Sequence, residues 1–222
     1  VSDTSGTERR RRAAAAWLSL ALVAGLAATA AEAPGADDPW RTLDRLRRDL
    51  ASGGALQADF VQVYTPAGFS SGETESGRLD LSMPDCLRWD YVDPYRKSFL
   101  VCGARAWSWV ENEPRGQRVT IDARRETGLD LLLLPAAELA GRYRARRESL
   151  GDGRIGLALE PLDPDAALVA ANLEIDPAGD RPSALDYRDR DGNLTTFRFT
   201  NWRPLEDADV FSPPPGIEWS EP

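Results

Sequence analysis

The sequence predicts an α+β fold that is mainly β: a strongly curved antiparallel sheet or partly closed barrel, with an N-terminal helix and a Leu-rich helical stretch. Three observations carry this. About ten short segments alternate apolar and polar residues, so each has one apolar face. A capped stretch at 37–52 has helical spacing instead. Residues 122–141 break the alternation again, with Leu129, Leu131, Leu132, Leu133, Leu134 and Leu139 crowded around Asp130, Pro135 and Glu138. Many one-sided strands with few helices curl into a bent sheet.

In chain order, four consecutive Arg (9–12) precede an apolar run from Ala13 to Ala28, followed by Ala-x-Ala at 28–30 and 31–33. A basic start, an apolar middle and a small-residue end make a secretory signal, so residues 1–33 are expected to be cleaved and 34–222 to form a single domain, free and soluble outside the cytoplasm. The alternative is an uncleaved anchor, for which the run is short.

The helix at 37–52 has Asp37 or Asp38 to cap it, Pro39 in its first turn and Gly53-Gly54 to end it; Trp40, Leu43, Leu46 and Leu50 share a face. Strands follow at 56–64, with Leu56, Ala58 and Phe60 on one side, and at 77–83, with Leu79, Leu81 and Met83 on one side, across a Gly/Ser/Glu loop at 68–76. Residues 84–109 hold both Cys and three of the seven Trp. They read as a hairpin turning at Asp93-Pro94, with Leu87, Trp89, Tyr91, Phe99 and Val101 on one large apolar face. Cys86 and Cys102 are equidistant from Pro94. In an oxidising compartment they are either a disulfide or two packed thiols, and a one-residue register slip would decide against the bridge. Residues 107–110 continue the hairpin, and 117–121 form a strand ending at Ile121.

The 122–141 stretch is expected to be one helix, or two divided at Pro135. It is either an ordinary core helix or a plug over a cavity. Strands resume at 142–149, 154–160, 169–176, 184–189 and 195–202, the last with Phe197 and Phe199 facing one way; Asp191-Gly192 is a hairpin turn. A Pro-rich tail closes the chain.

Composition excludes several functions. Hydrophobic residues are 42% and charged residues 28%, ordinary for a soluble domain. A formal net charge of -9 opposes a nucleic-acid partner. There is no His, which removes the commonest general base, nucleophile partner and metal ligand. With only two Cys, no metal or other cofactor is expected. Asp189-x-Asp191-Gly192 lacks the rest of a calcium loop and reads as a turn. Acidic residues are scattered in turns, so carboxylate hydrolysis has little support and no catalytic residue is assigned. The apolar strand faces and the Leu cluster suit a hydrophobic ligand instead.

The run Met83-Pro84-x-x-Leu87-Arg88-Trp89-Asp90-Tyr91-x-x-Pro94 resembles the LolA-type carriers of outer-membrane lipoproteins. So do Gly103-x-x-x-Trp107-x-Trp109, Gln117-x-x-x-Ile121, Asp191-Gly192, Phe197-x-Phe199-x-Asn201 and Phe211-x-Pro213-Pro214-Pro215-Gly216, in order over roughly residues 40–217. The resemblance implies a non-enzymatic, monomeric periplasmic chaperone: an unclosed β-barrel lined by apolar side chains and lidded by helices. It would take acylated lipoproteins from an inner-membrane transporter and pass them to an outer-membrane receptor. Phe60, Leu79, Leu81, Met83, Leu87, Trp89, Tyr91, Phe99, Val101, Ile121, Phe197 and Phe199 would line the acyl-chain cavity, with Leu129, Leu131, Leu132, Leu133 and Leu134 as the lid. A carrier of another acylated lipid or a glycolipid is the alternative. One departure stands out: the family typically has an Arg before the Pro of the first run, where it helps hold the lid shut, and here that residue is Met83.

Overall fold

The computed structural model describes residues 38–122, 131, 134–178 and 180–221. The expected signal segment, 1–33, lies outside the described residues. So do Leu129, Leu132 and Leu133 of the expected lid.

Helix α1 spans Pro39–Ser52. The Asp38 side chain accepts a hydrogen bond from the Trp40 amide at 2.9 Å, and the Gly53 amide closes the other end on the Asp49 carbonyl. Leu43, Leu46 and Leu50 form its buried stripe.

Twelve strands form one sheet. They are β1 (Leu56–Thr65), β2 (Glu73–Ser82), β3 (Cys86–Asp93), β4 (Lys97–Cys102), β5 (Arg105–Val110), β6 (Arg115–Thr120), β7 (Tyr143–Ser149), β8 (Ile155–Pro161), β9 (Leu168–Asp176), β10 (Arg181–Asp189), β11 (Leu194–Pro204) and β12 (Glu218–Ser220). The order is β12-β6-β5-β4-β3-β2-β1-β11-β10-β9-β8-β7. Two meanders, β1–β6 and β7–β11, are therefore stitched together where β1 pairs antiparallel with β11. The sheet is curved and unclosed, as expected.

Several strand boundaries differ from the sequence reading, β10 for example beginning at Arg181 rather than 184, and one strand is new. β2 begins at Glu73 rather than 77, because its first residues carry no alternation and are recruited by pairing with Tyr64 and Val63. β12, in the Pro-rich tail, pairs parallel with β6; three residues of mixed polarity give no periodic signal.

The topology makes one connection unusual. β6 lies beside one edge of the sheet and β7 forms the other, so this connection starts near one side of the sheet and ends at the other. Among the described residues, the apolar side chains of this connection lie on the inner face. The described parts sit there: Ile121, Leu131, Leu134, and Ala136 and Leu139 of the short helix α2 (Ala136–Leu139) share one buried cluster with α1 and the inner faces of β2, β3, β4, β8 and β9.

The hairpin register is the expected one. Leu87, Trp89 and Tyr91 oppose Val101, Phe99 and Lys97, and Cys86 opposes Cys102. Of the two states left open for that pair, the structure takes the disulfide. It closes a loop with a sequence separation of 16, and chain-entropy arguments give about 3 kcal/mol for such a loop. We expect a Cys86→Ser, Cys102→Ser double variant to lose about that much, and urea titrations of wild type with and without reductant to show the same gap. Coincident curves in all three samples would show that the bridge constrains nothing that the sheet does not already hold.

Trp107 and Trp109 fall on the opposite face from Trp89, because they pair with Leu100 and Ser98. That outer face is covered in part by the tail. The Arg88 guanidinium donates to the Val210 carbonyl at 2.7 Å and lies 5.1 Å from the Trp109 ring, while Trp219 packs edge-on to Trp109. A side chain at Gly116 would collide with the Trp219 ring, so only Gly fits beneath the strap.

Candidate functional site

The inner face holds two adjoining apolar compartments. At the helix end, Leu81, Leu87 and Val101 pack with Leu43, Leu46 and Leu50 of α1 and with Leu131 and Leu134. Beyond them lies an aromatic group: Phe60, Tyr91, Phe197 and Phe199 with Leu79 and Leu185. Phe60 is at its centre, 2% exposed, with Tyr91 5.0 Å away edge-on and Phe197 5.9 Å away. Trp89 packs against both compartments.

An apolar cavity of about 50 Å³ lies where the compartments meet. Leu79, Leu81, Met83, Leu87 and Phe199 line it from the sheet and Leu131 from the connecting segment, all of them residues singled out in the sequence. Leu43, Leu46, Leu50, Leu173, Leu185 and Trp202 line it too. Sequence reasoning missed these. The α1 periodicity showed that the three helix Leu are buried but not where. Leu173 and Leu185 oppose each other on β9 and β10, and they reach the cavity because the neighbouring β11, which carries Trp202, pairs at long range with β1.

Arg47 is the one charged residue in the lining. Burial pushes its guanidinium below its usual pKa, against the opposing pull of Asp44.

Ligand pockets usually measure about 300–1,000 Å³, so this cavity is nearly filled by its own lining. Anything with a long chain needs α1 or the connecting segment to move.

The other expected site residues are placed as follows. Phe60, Tyr91 and Phe197 are buried in the aromatic compartment, and Val101 and Ile121 in the Leu-rich one. Phe99 faces the same side but is 40% exposed, so the inner face is uncovered near it.

A larger groove, about 300 Å³, lies on Arg78, Arg88, Asp90, Arg96, Lys97, Ser98 and Trp109. Its charges are mostly committed to one another. The Asp90 carboxylate takes hydrogen bonds from Arg78, Arg88 and Ser98 at 3.0, 2.9 and 2.6 Å. Asp80 is fully buried beside them, accepts a hydrogen bond from Gln57 at 2.7 Å and faces Arg78 at 3.4 Å. Burial pushes its carboxyl above the usual range, against those two partners.

The Asp189 turn is a structural one. Its carboxylate accepts from both the amide and the side chain of Asn193, at 2.9 and 2.8 Å, which lowers its pKa. Among the described residues no group of three or more acidic, Cys or His side chains could hold a metal, and no helix is long and apolar enough to cross a membrane.

Comparisons with known proteins converge on one family. The family model described as "Outer membrane lipoprotein carrier protein LolA" matches residues 52–213. The "Outer-membrane lipoprotein carrier protein" of Xanthomonas oryzae pv. oryzae is 30% identical over 213 residues, covering 91% of this chain and 94% of that one. The protein of the same name from Methylococcus capsulatus is 28% identical over 188 residues, covering 78% and 85%. Among solved structures, an uncharacterized conserved protein from Thermus thermophilus superposes with a TM-score of 0.54 at 14% identity, covering 82% of this chain and 98% of that one, a likeness of fold.

Proposed function

The chain belongs to the LolA family of outer membrane lipoprotein carrier proteins, non-enzymatic chaperones, and from that premise we propose that it binds the acyl chains of lipoproteins between its sheet and its lid and carries them through the periplasm from the inner to the outer membrane. The observation that carries this is the cavity between α1, both meanders and Leu131, lined by apolar side chains with Arg47 as its one charge. An inner-membrane releasing transporter and an outer-membrane receptor are its partners in this reading, and it acts as a monomer.

The small cavity volume fits a carrier that must also let go. Each buried methylene stabilises a bound chain by about 0.8 kcal/mol. Several chains together would be held almost irreversibly unless binding displaced something. In this reading Leu131 and Leu134 are that competitor: Leu131 lines the cavity, Leu134 is buried beside it in the same cluster, and both must leave before cargo takes their place. Met83 lines the cavity as Leu131 does, and in this reading an apolar side chain stands where the family typically uses Arg to hold the lid.

The test is release of cargo from membranes. Inner membranes bearing a tagged triacylated lipoprotein are incubated with the purified protein and sedimented. The expected result is a soluble one-to-one complex with acylated lipoprotein. A supernatant without lipoprotein, or a purified protein whose mass spectrum shows a bound glycolipid instead, overturns the reading.

A further inference from the structure

The inner face changes chemistry at one level on neighbouring strands. On β1, Leu56, Ala58 and Phe60 give way to Gln62; on β3, Leu87 and Trp89 give way to Tyr91, whose hydroxyl reaches Gln62; on β4, Val101 and Phe99 give way to Lys97. The register places these together. Gln62 opposes Glu75 of β2, and Tyr91 opposes Lys97. Thr195 of β11 and Tyr187 of β10 oppose each other at the same end.

The side chains form a connected collar. The Tyr91 hydroxyl donates to Gln62 Oε1 at 2.5 Å. The Lys97 ammonium donates to Glu75 at 2.7 Å and lies 4.6 Å from the centre of the Tyr91 ring. Tyr91 in turn stacks edge-on to Phe60 and Phe99, so the collar sits directly on the aromatic compartment. It is also where the wall is open, beside half-exposed Phe99.

The collar is rich in donors. Gln62 uses its oxygen for Tyr91 and keeps two amide hydrogens, and an ammonium has three. Fatty-acyl esters and amides present carbonyl oxygens, which only accept. Resting on the carrier reading above, we propose that Gln62 and Lys97, held in place by Tyr91 and Glu75, form a subsite for the carbonyl groups that join the acyl chains to the cargo's glyceryl-cysteine. The chains run inward past Phe60 and Phe199, and their polar linkages stop at the collar.

The test compares two probes with equal chains: a dipalmitoyl-glyceryl-cysteine peptide and its dialkyl ether analogue, which lacks the ester carbonyls. Wild type is expected to prefer the ester about tenfold, the worth of one or two net hydrogen bonds. Gln62→Leu with Lys97→Met should lose that preference by weakening ester binding about tenfold and leaving ether binding unchanged; unchanged ether binding also reports an intact fold. Lys97→Arg keeps donors and should keep the preference. If wild type binds both probes equally, or the double variant retains its preference or loses both probes alike, the subsite is overturned and the carrier reading stands. If wild type binds neither probe, both fall.

Discussion

Phe60→Ala is expected to lower the unfolding free energy by about 3–5 kcal/mol, in the range for emptying a buried aromatic site. For a domain of this size that is roughly 6–20 °C in Tm. The reason is position rather than residue type. Phe60 is 2% exposed at the seam where β1 joins the two meanders, opposing Phe199 on one side and Gly77 on the other. Its ring meets Tyr91 and Phe197 edge-on, and neither can collapse into the space without leaving its own strand. Val61→Ala is the control. Val61 is next in sequence but points outward and is 43% exposed, so its loss should stay within about 0.5 kcal/mol. Equal melting temperatures for the two variants would mean that the inner face near Phe60 is not packed as described.

Leu131→Ser with Leu134→Ser is expected to tighten binding of a dipalmitoylated peptide by about ten- to hundredfold, and to slow its release. Leu131 lines the cavity and Leu134 is buried in the cluster beside it. Binding must undo their packing, and a buried Leu is worth about 1.5–3 kcal/mol. Removing that competitor returns part of the energy to the cargo; about 1.4–2.8 kcal/mol corresponds to the stated range. The measurement is a fluorescence titration followed by dissociation into detergent micelles. Weaker binding would show that Leu131 and Leu134 are walls of the occupied cavity rather than its occupants when empty. The sign of the change separates the two roles.

Much of this site was legible in the sequence. Period-two alternation sorted Leu79, Leu81, Leu87, Trp89, Tyr91 and Val101 onto the inner face, because the pleat of a strand is a local property. The equal distance of Cys86 and Cys102 from the turn placed them opposite one another, since a hairpin's register follows from its turn. The helix cap at Asp38 and the turn at Asp189 were legible for the same reason: each depends on residues within four positions.

Only the tertiary structure decided the rest. Phe60 opposes Phe199, and no local pattern in β1 names a partner so far along the chain. Leu43, Leu46 and Leu50 showed a buried stripe, but the groove that buries them is made by strands from both meanders. The Leu-rich stretch reads in the sequence as an ordinary core helix or a lid, and local pattern says nothing of its flanking strands, β6 and β7, lying at opposite sides of the sheet. That order is a property of how strands pair at long range, which alternation along each strand does not encode.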